Sequence, residues 1–249
     1  MSEPLVRLRR EGEVAIAELA NPPANALGAR FIDDLGAAVA VVATSDAAAL
    51  VITSAVPGFF GAGADLKHLS TVRPEGFRDY LQPLRDVLTS LQALEAVTIA
   101  AIDGLALGGG FELALNCDLR FLGPEAAVGL PEIRLGLLPG ATGTQRLTHL
   151  VGRARAEEMM LTGRTVRAEE AIMYAIGFPA STTAAAEAVA WALRNLGGDN
   201  LAAAAIRRCL DAAGAPDVDG LAVEFDEVDA LFASHVAQHR ITTFIERHL

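Results

Sequence analysis

Cysteine is scarce in this chain. Cys117 and Cys209 are the only two, distant from each other and in no C-x-x-C spacing, which excludes a disulfide framework and gives a zinc site no support. Both read as ordinary buried or half-buried thiols. Positive charge is short too: 20 Lys and Arg stand against 31 Asp and Glu, for a net charge of −11. Binders of phosphate backbones present a basic face, so no nucleic-acid partner is expected. No long apolar run exists either. The stretch from Leu105 to Leu122 is broken by Glu112, Asp118 and Arg120, and no membrane association is expected. Met1 to Arg7 hold no apolar core of signal-peptide length, and Arg9, Arg10, Glu11 and Glu13 follow at once, which leads to the expectation of a cytoplasmic protein.

Several catalytic signatures are missing as well. Gly61-Ala62-Gly63 would need its third glycine at Leu66 to form a dinucleotide loop. Gly140 to Gln145 lacks the Gly-Lys-Ser/Thr ending of a phosphate loop. His235 and His239 have i,i+4 spacing, but no glutamate follows His235, so they read as a surface pair. There is no G-x-S-x-G elbow. No metal is expected.

What is present is apolar residues in quantity. With 249 residues and 52% hydrophobic content, the chain can bury the core of one domain plus a small appendage. Leu5 to Arg10 and Glu13 to Leu19 alternate across Glu11-Gly12 and predict an antiparallel hairpin. Phe31 to Ala43 has helical spacing, and Leu50 to Thr53 reads as a buried strand. Pro57 to Asp65 reads as a loop whose small residues permit close approach of a ligand. A helix is predicted over Gly76 to Leu94, then strands at Val97 to Ile102, Asp118 to Leu122 and Ala126 to Gly129. Helices are expected through Val151, over Arg153 to Leu161 and over Ala168 to Tyr174. From Thr182 onward Ala-rich helical patterns dominate: Thr183 to Leu196, Leu201 to Ala212, Gly220 to Phe232 and Val236 to Arg247.

The chemistry concentrates between Ala101 and Leu147. Three glycines, Gly108 to Gly110, let the backbone turn sharply and let a group approach its N–H atoms. Glu112 follows among Phe111, Leu113 and Leu115; if buried, its pKa rises toward neutrality, which suits proton transfer. Glu132 sits in Gly129-Leu130-Pro131-Glu132-Ile133, ahead of Gly136 and Pro139-Gly140. Taken by themselves, the two carboxylates are either a pair working on one substrate or two residues that cap or solvate turns. Asn116, four residues beyond Glu112, either orients it or is a plain polar helix position.

The run Ala101-Ile102-Asp103-Gly104-Leu105-Ala106-Leu107-Gly108-Gly109-Gly110-Phe111-Glu112-Leu113-Ala114, with Cys117-Asp118, resembles the signature of the crotonase superfamily, the enoyl-CoA hydratases and isomerases. Its continuation is matched by Gly129 to Ile133, Gly136, Pro139-Gly140 and Gly143-Thr144-Gln145-Arg146-Leu147. Phe60-Gly61-Ala62-Gly63-Ala64-Asp65-Leu66 is similar to the family's first substrate-binding loop. The resemblance implies an α/β fold, the ClpP/crotonase spiral of ββα repeats, with residues 1–190 as the core carrying the CoA and catalytic site and 191–249 as a C-terminal helical trimerisation region.

By the same resemblance, Ala64 and Gly109 supply oxyanion-hole N–H groups, while Ala62 and the Ala64 to Lys67 backbone, hence Asp65, Leu66 and Lys67, hold the CoA adenine end. Glu112 holds and deprotonates water, Glu132 protonates C2, and Gly140 helps place the water. The implied reaction is hydration of a trans-2-enoyl-CoA to a 3-hydroxyacyl-CoA, without metal or redox cofactor, CoA being part of the acyl-CoA thioester substrate. The implied assembly is a homotrimer or a homohexamer. Three alternatives stay open: an enoyl-CoA isomerase, an acyl-CoA decarboxylase of the same fold, and a non-catalytic CoA-binding protein. The chain departs from the family pattern at Asp103, where asparagine is usual, and at Thr142, where many hydratases have glycine.

Overall fold

A computed structural model describes residues 3–197 and 201–248. The chain folds as two compact units that part between Asn195 and Leu196. Residues 198–200 and 249, within the expected C-terminal region, lie outside the described residues.

The first unit opens with the hairpin β1 (Val6–Glu11) and β2 (Val14–Leu19), antiparallel with Glu11 opposite Val14. β1 exposes all but Val6 and carries Arg7, Arg9 and Arg10, the charge that keeps an edge strand from pairing with another chain. Helix α1 (Ala29–Ala43) follows and buries Phe31, Ile32, Leu35, Ala38, Val39 and Val42, the i, i+3/i+4 stripe of an amphipathic helix. Next come β3 (Ala49–Ser54), the three-residue β4 (Phe59–Gly61), the short helix α2 (Leu66–Leu69) and α3 (Phe77–Gln92), which buries Leu84, Leu88 and Leu91.

The pattern then repeats. β5 (Val97–Ile102), β6 (Leu105–Leu107) and α4 (Gly109–Leu115) form one turn; β7 (Leu119–Leu122), β8 (Ala127–Gly129) and α5 (Gly143–Val151) form the next. α6 (Arg153–Thr162), β9 (Val166–Arg167), α7 (Ala168–Met173), β10 (Phe178–Pro179) and α8 (Ala184–Asn195) complete the unit. The strands form two sheets, ordered β1-β2-β3-β5-β7-β10 and β4-β6-β8-β9, and from β3 to β8 the chain alternates between them. The pairs β3–β4, β5–β6 and β7–β8 therefore each give one strand to each sheet, and the chain advances as a spiral.

β5 lies between β3 and β7, parallel to both, and is buried at all six positions. An interior parallel strand reads as an unbroken apolar run for that reason. The core extends from β3 and β5 through Phe60, Phe111 and Leu147, where each fully buried large side chain contributes about 1.5–3 kcal/mol. Asp118 ties two strands at their start, accepting from Thr98 N–H and Thr98 Oγ1, both at 2.7 Å.

The structure corrects the sequence reading in two places. Pro57 to Asp65 is not wholly a loop: Phe59–Gly61 pairs in parallel with Leu105–Leu107, a segment predicted only to lead into the glycines. Asp118 lies just outside its strand rather than in it. Strands of two or three residues are too short to display a period of two.

The second unit holds α9 (Leu201–Ala213), α10 (Gly220–Phe232) and α11 (His235–His248). Arg208 joins α9 to α10 through a two-point pair with Glu227, Nη2 to Oε2 at 2.7 Å, and Asp219 caps α10 by accepting from Ala222 N–H. Leu221, Phe225, Val228 and Phe232 are all exposed on α10. Their i, i+4, i+7, i+11 spacing puts them on one face.

Candidate active site

The site is built where two glycine segments cross. Gly110, in the first turn of α4, lies so close to Gly61 that a Cβ on Gly110 would be 2.2 Å from the Gly61 carbonyl oxygen. Only a residue without a side chain allows that approach. The crossing sets residues 62–64 against 108–110. Gly63 Cα faces Gly108 and Gly109, and Leu27 N–H donates to the Gly63 carbonyl at 2.8 Å, fixing the segment from its other side. Ala64 N–H and Gly109 N–H donate to no acceptor among the described residues.

α4 carries Glu112 inward with Phe111, Leu113, Ala114 and Leu115; Glu112 is 3% exposed. Its carboxylate is not stranded. Oε1 accepts from Ala141 N–H at 2.7 Å and from Gly143 N–H at 2.8 Å. Burial pushes the Glu112 pKa up, while the two N–H groups and the Arg85 charge pull it back.

Glu132 stands on a 3-10 turn, Glu132–Leu135, that leaves β8 through Leu130-Pro131 and is closed by Gly136 in the left-handed region, φ 72. The Gly108 N–H donates to the Gly129 carbonyl at 2.9 Å, so the turn is anchored to the glycine segment. Glu132 Oε1 lies 3.2 Å from the Cβ that Gly108 lacks. Oε2 is buried without a hydrogen-bond partner among the described residues. Burial, and secondarily the Glu112 charge, raises the Glu132 pKa to about 7.

A cavity of about 300 Å³ joins these parts. Ala62, Ala64, Leu66, Gly109, Glu112, Glu132 and Gly140 all line it. Asp65 and Lys67 are not among its lining residues: Asp65 caps α2, its Oδ1 accepting from Lys67 N–H at 3.0 Å and His68 N–H at 3.2 Å. The rest of the lining is mostly apolar, with Leu69, Phe77, Tyr80, Leu81 and Leu84 from α2 and α3 and Leu135, Leu137 and Leu138 from the segment after Glu132. In the sequence Phe77 and Tyr80 are legible only as core or lid residues, and Leu135 to Leu138 carry no signal apart from following Glu132.

Asn116 makes no direct contact with the Glu112 carboxylate. Its Nδ2 donates instead to the Glu112 backbone carbonyl at 2.7 Å and to Thr142 Oγ1 at 2.9 Å. The N–H groups that do hold the carboxylate, those of Ala141 and Gly143, show no sign of that role in the sequence, where Gly143 stands only as part of the family run and Gly140 to Gln145 reads as the beginning of a helix. Among the described residues, no three of His, Cys, Asp and Glu come together as a metal-binding set, and no helix is long and apolar enough to cross a membrane.

With this geometry in place, a family model described as enoyl-CoA hydratase/isomerase matches residues 9–248. The chain belongs to that family. It is 50% identical over 127 residues to a probable mitochondrial enoyl-CoA hydratase 2 of Arabidopsis thaliana, covering 51% of this chain and 42% of the relative. It is 42% identical over 171 residues to an enoyl-CoA isomerase/hydratase of Zymoseptoria tritici, covering 67% of this chain and 55% of the relative. The chain thus spans about half the length of these curated relatives. Among solved structures, an enoyl-CoA hydratase from Bacillus anthracis superposes with a TM-score of 0.92 at 28% identity, over 98% of this chain and 96% of that one. The two-sheet spiral is accordingly the crotonase fold.

Proposed function

We propose that this chain hydrates the 2,3 double bond of trans-2-enoyl-CoA thioesters to give 3-hydroxyacyl-CoA. The observation that carries the reading is the unlike environment of two carboxyl groups that line one cavity. Glu112 is held as an acceptor by two N–H groups, whereas Glu132 has a pKa of about 7 and a buried, unpartnered oxygen. Two carboxyl groups in such unlike surroundings suit a base and an acid.

In this mechanism water, placed with the help of the Gly140 backbone, adds to C3 and gives a proton to Glu112. The double-bond electrons move onto the thioester oxygen as an enolate, and C2 takes the Glu132 proton, so that H and OH are added in sum. The carboxyl groups reset by exchange of one proton. Ala64 N–H and Gly109 N–H are free to receive the enolate oxygen, each such donor being worth about 3 kcal/mol. The loop at Asp65, Leu66 and Lys67 belongs to the CoA end of the site in this reading, and the leucine-lined wall to the acyl chain. Self-association as a trimer or a dimer of trimers completes it, supported by the exposed apolar face of α10.

The test is absorbance loss at the conjugated enoyl-thioester band with crotonyl-CoA, with the product identified by mass. A gain of one water, absent in both Glu132→Gln and Glu112→Gln, is the expected result. No turnover while CoA esters still bind would overturn hydration. One observation favours a second reading: a single carboxyl with a buried, unpartnered oxygen, that of Glu132, suffices to carry a proton between C4 and C2 in an enoyl-CoA isomerase. Turnover of a 3-enoyl-CoA that survives Glu112→Gln would select it.

A further inference from the structure

Behind Glu112 lies a set of polar side chains that the water and proton steps do not themselves use. Thr142 stands between Ala141 and Gly143, the two residues whose N–H groups hold Glu112 Oε1. Two amides separated by one residue converge on a single oxygen when the middle residue turns left-handed. Thr142 does so, with φ 81, a region in which a β-branched side chain is strained.

The Thr142 hydroxyl is fastened from the far side. Asn116 Nδ2 donates to Thr142 Oγ1 at 2.9 Å, and the hydroxyl returns a bond to Asn116 Oδ1 at 3.3 Å. Asn116 is 2% exposed and is fixed in turn by its bond to the Glu112 carbonyl and by Gln92 of α3, which donates to Asn116 Oδ1. The Thr142 carbonyl accepts from Gln145 N–H and Arg146 N–H, both at 3.0 Å, and so starts α5. One residue therefore links the helix that carries Glu112 to the turn that holds its carboxylate.

We infer that Thr142 is a positioning residue for Glu112: its hydroxyl, locked to the Asn116 carboxamide, holds the left-handed turn that aims Ala141 N–H and Gly143 N–H at Glu112 Oε1. The inference rests on the proposed role of Glu112 toward water. The charged groups facing Glu112 are Arg85 of α3, which favours its ionised form, and Glu132 on the opposing turn; Tyr80 of α3 shares the cavity wall, and Arg146 of α5 is directed to the Leu115 carbonyl instead. Loosening the turn removes donors that favour the carboxylate, and the proton affinity of Glu112 then rises.

The experiment measures kcat and KM for crotonyl-CoA between pH 5 and pH 9 in the full chain and its variants. Thr142→Val keeps the branched shape and loses the hydroxyl. It is expected to lower kcat about tenfold, the worth of one good hydrogen bond, to leave KM unchanged, and to move the acidic limb of the profile to higher pH. Thr142→Ser should restore both. Asn116→Ala cuts the same link from the helix side, so it tests the idea even if Thr142→Val does not fold, and the double variant should cost no more than either single one. A wild-type profile in Thr142→Val or Asn116→Ala, or a serine variant no better than valine, overturns the inference. Glu112→Gln separates it from the parent proposal. Hydration indifferent to that substitution removes the role of Glu112, whereas hydration lost there but unmoved in Thr142→Val removes only the role of Thr142.

Discussion

Glu112 Oε1 accepts from the Gly143 N–H at 2.8 Å, and a Cβ placed on Gly143 would meet that same oxygen at 2.9 Å and the Pro139 Cβ at 2.9 Å. Such contacts are closer than real Cβ atoms tolerate, and Pro139 cannot withdraw as a flexible side chain does. Gly143→Ala should therefore fold but displace the carboxylate. A shift of about 1 Å in a reacting group costs on the order of a hundredfold in rate, so kcat for crotonyl-CoA should fall by that amount with KM little altered. Wild-type kcat in the alanine variant would show that the carboxylate has room the packing does not suggest.

The raised pKa of Glu132 links activity to stability with a definite sign. The free-chain value of 4.5 rises to about 7 in the fold. Below about pH 4.5 both states hold the proton and the residue costs nothing; between there and about pH 7 the unfolded chain ionises first and stability falls; above pH 7 the cost is constant. Glu132→Gln removes that cost. Its melting temperature should match wild type at pH 4 and exceed it at pH 8, while turnover is lost. As the proposed proton donor, Glu132 should also make the wild-type rate decline as pH rises through 7. A melting difference independent of pH would contradict the assigned burial.

Much of the fold is readable from the chain because its long elements carry their periods openly. The β1–β2 alternation, the α1 stripe and the apolar β5 run are visible there, and the glycine-rich resemblance points to the spiral and to both glutamates. Residue chemistry alone leaves each glutamate open between catalysis and a solvated turn. What stays hidden is contact between distant positions. β4, β6, β9 and β10 are two or three residues long and exist because partners many positions away pair with them. The local rule also misleads at Asn116, since a short polar side chain late in a helix turns back to the carbonyl four residues earlier. Glu112 is held from 29 and 31 residues away, and no i,i+4 argument reaches that far.

Asp103, the departure from the family's asparagine, has a structural role that can be separated from chemistry. It lies at the corner between β5 and β6, and its Oδ1 accepts from Ala184 N–H at 2.6 Å while Oδ2 accepts from Ala185 N–H at 3.3 Å. These are first-turn donors of α8, which have no partner inside the helix, and a negative charge there is favourable. Asp103→Ala should cost about 1 kcal/mol, read as a fall of about 2–4 °C in melting temperature for a unit of this size. Asp103→Asn keeps an acceptor but not the charge and should fall between the two. Because Asp103 does not line the cavity, kcat at a temperature well below the transition should be unchanged in both variants. Added salt should shrink the wild-type advantage over asparagine, since that part is a charge effect at an exposed position, and leave the loss in alanine largely intact. A salt-insensitive difference between aspartate and asparagine would assign the stabilisation to hydrogen-bond geometry alone.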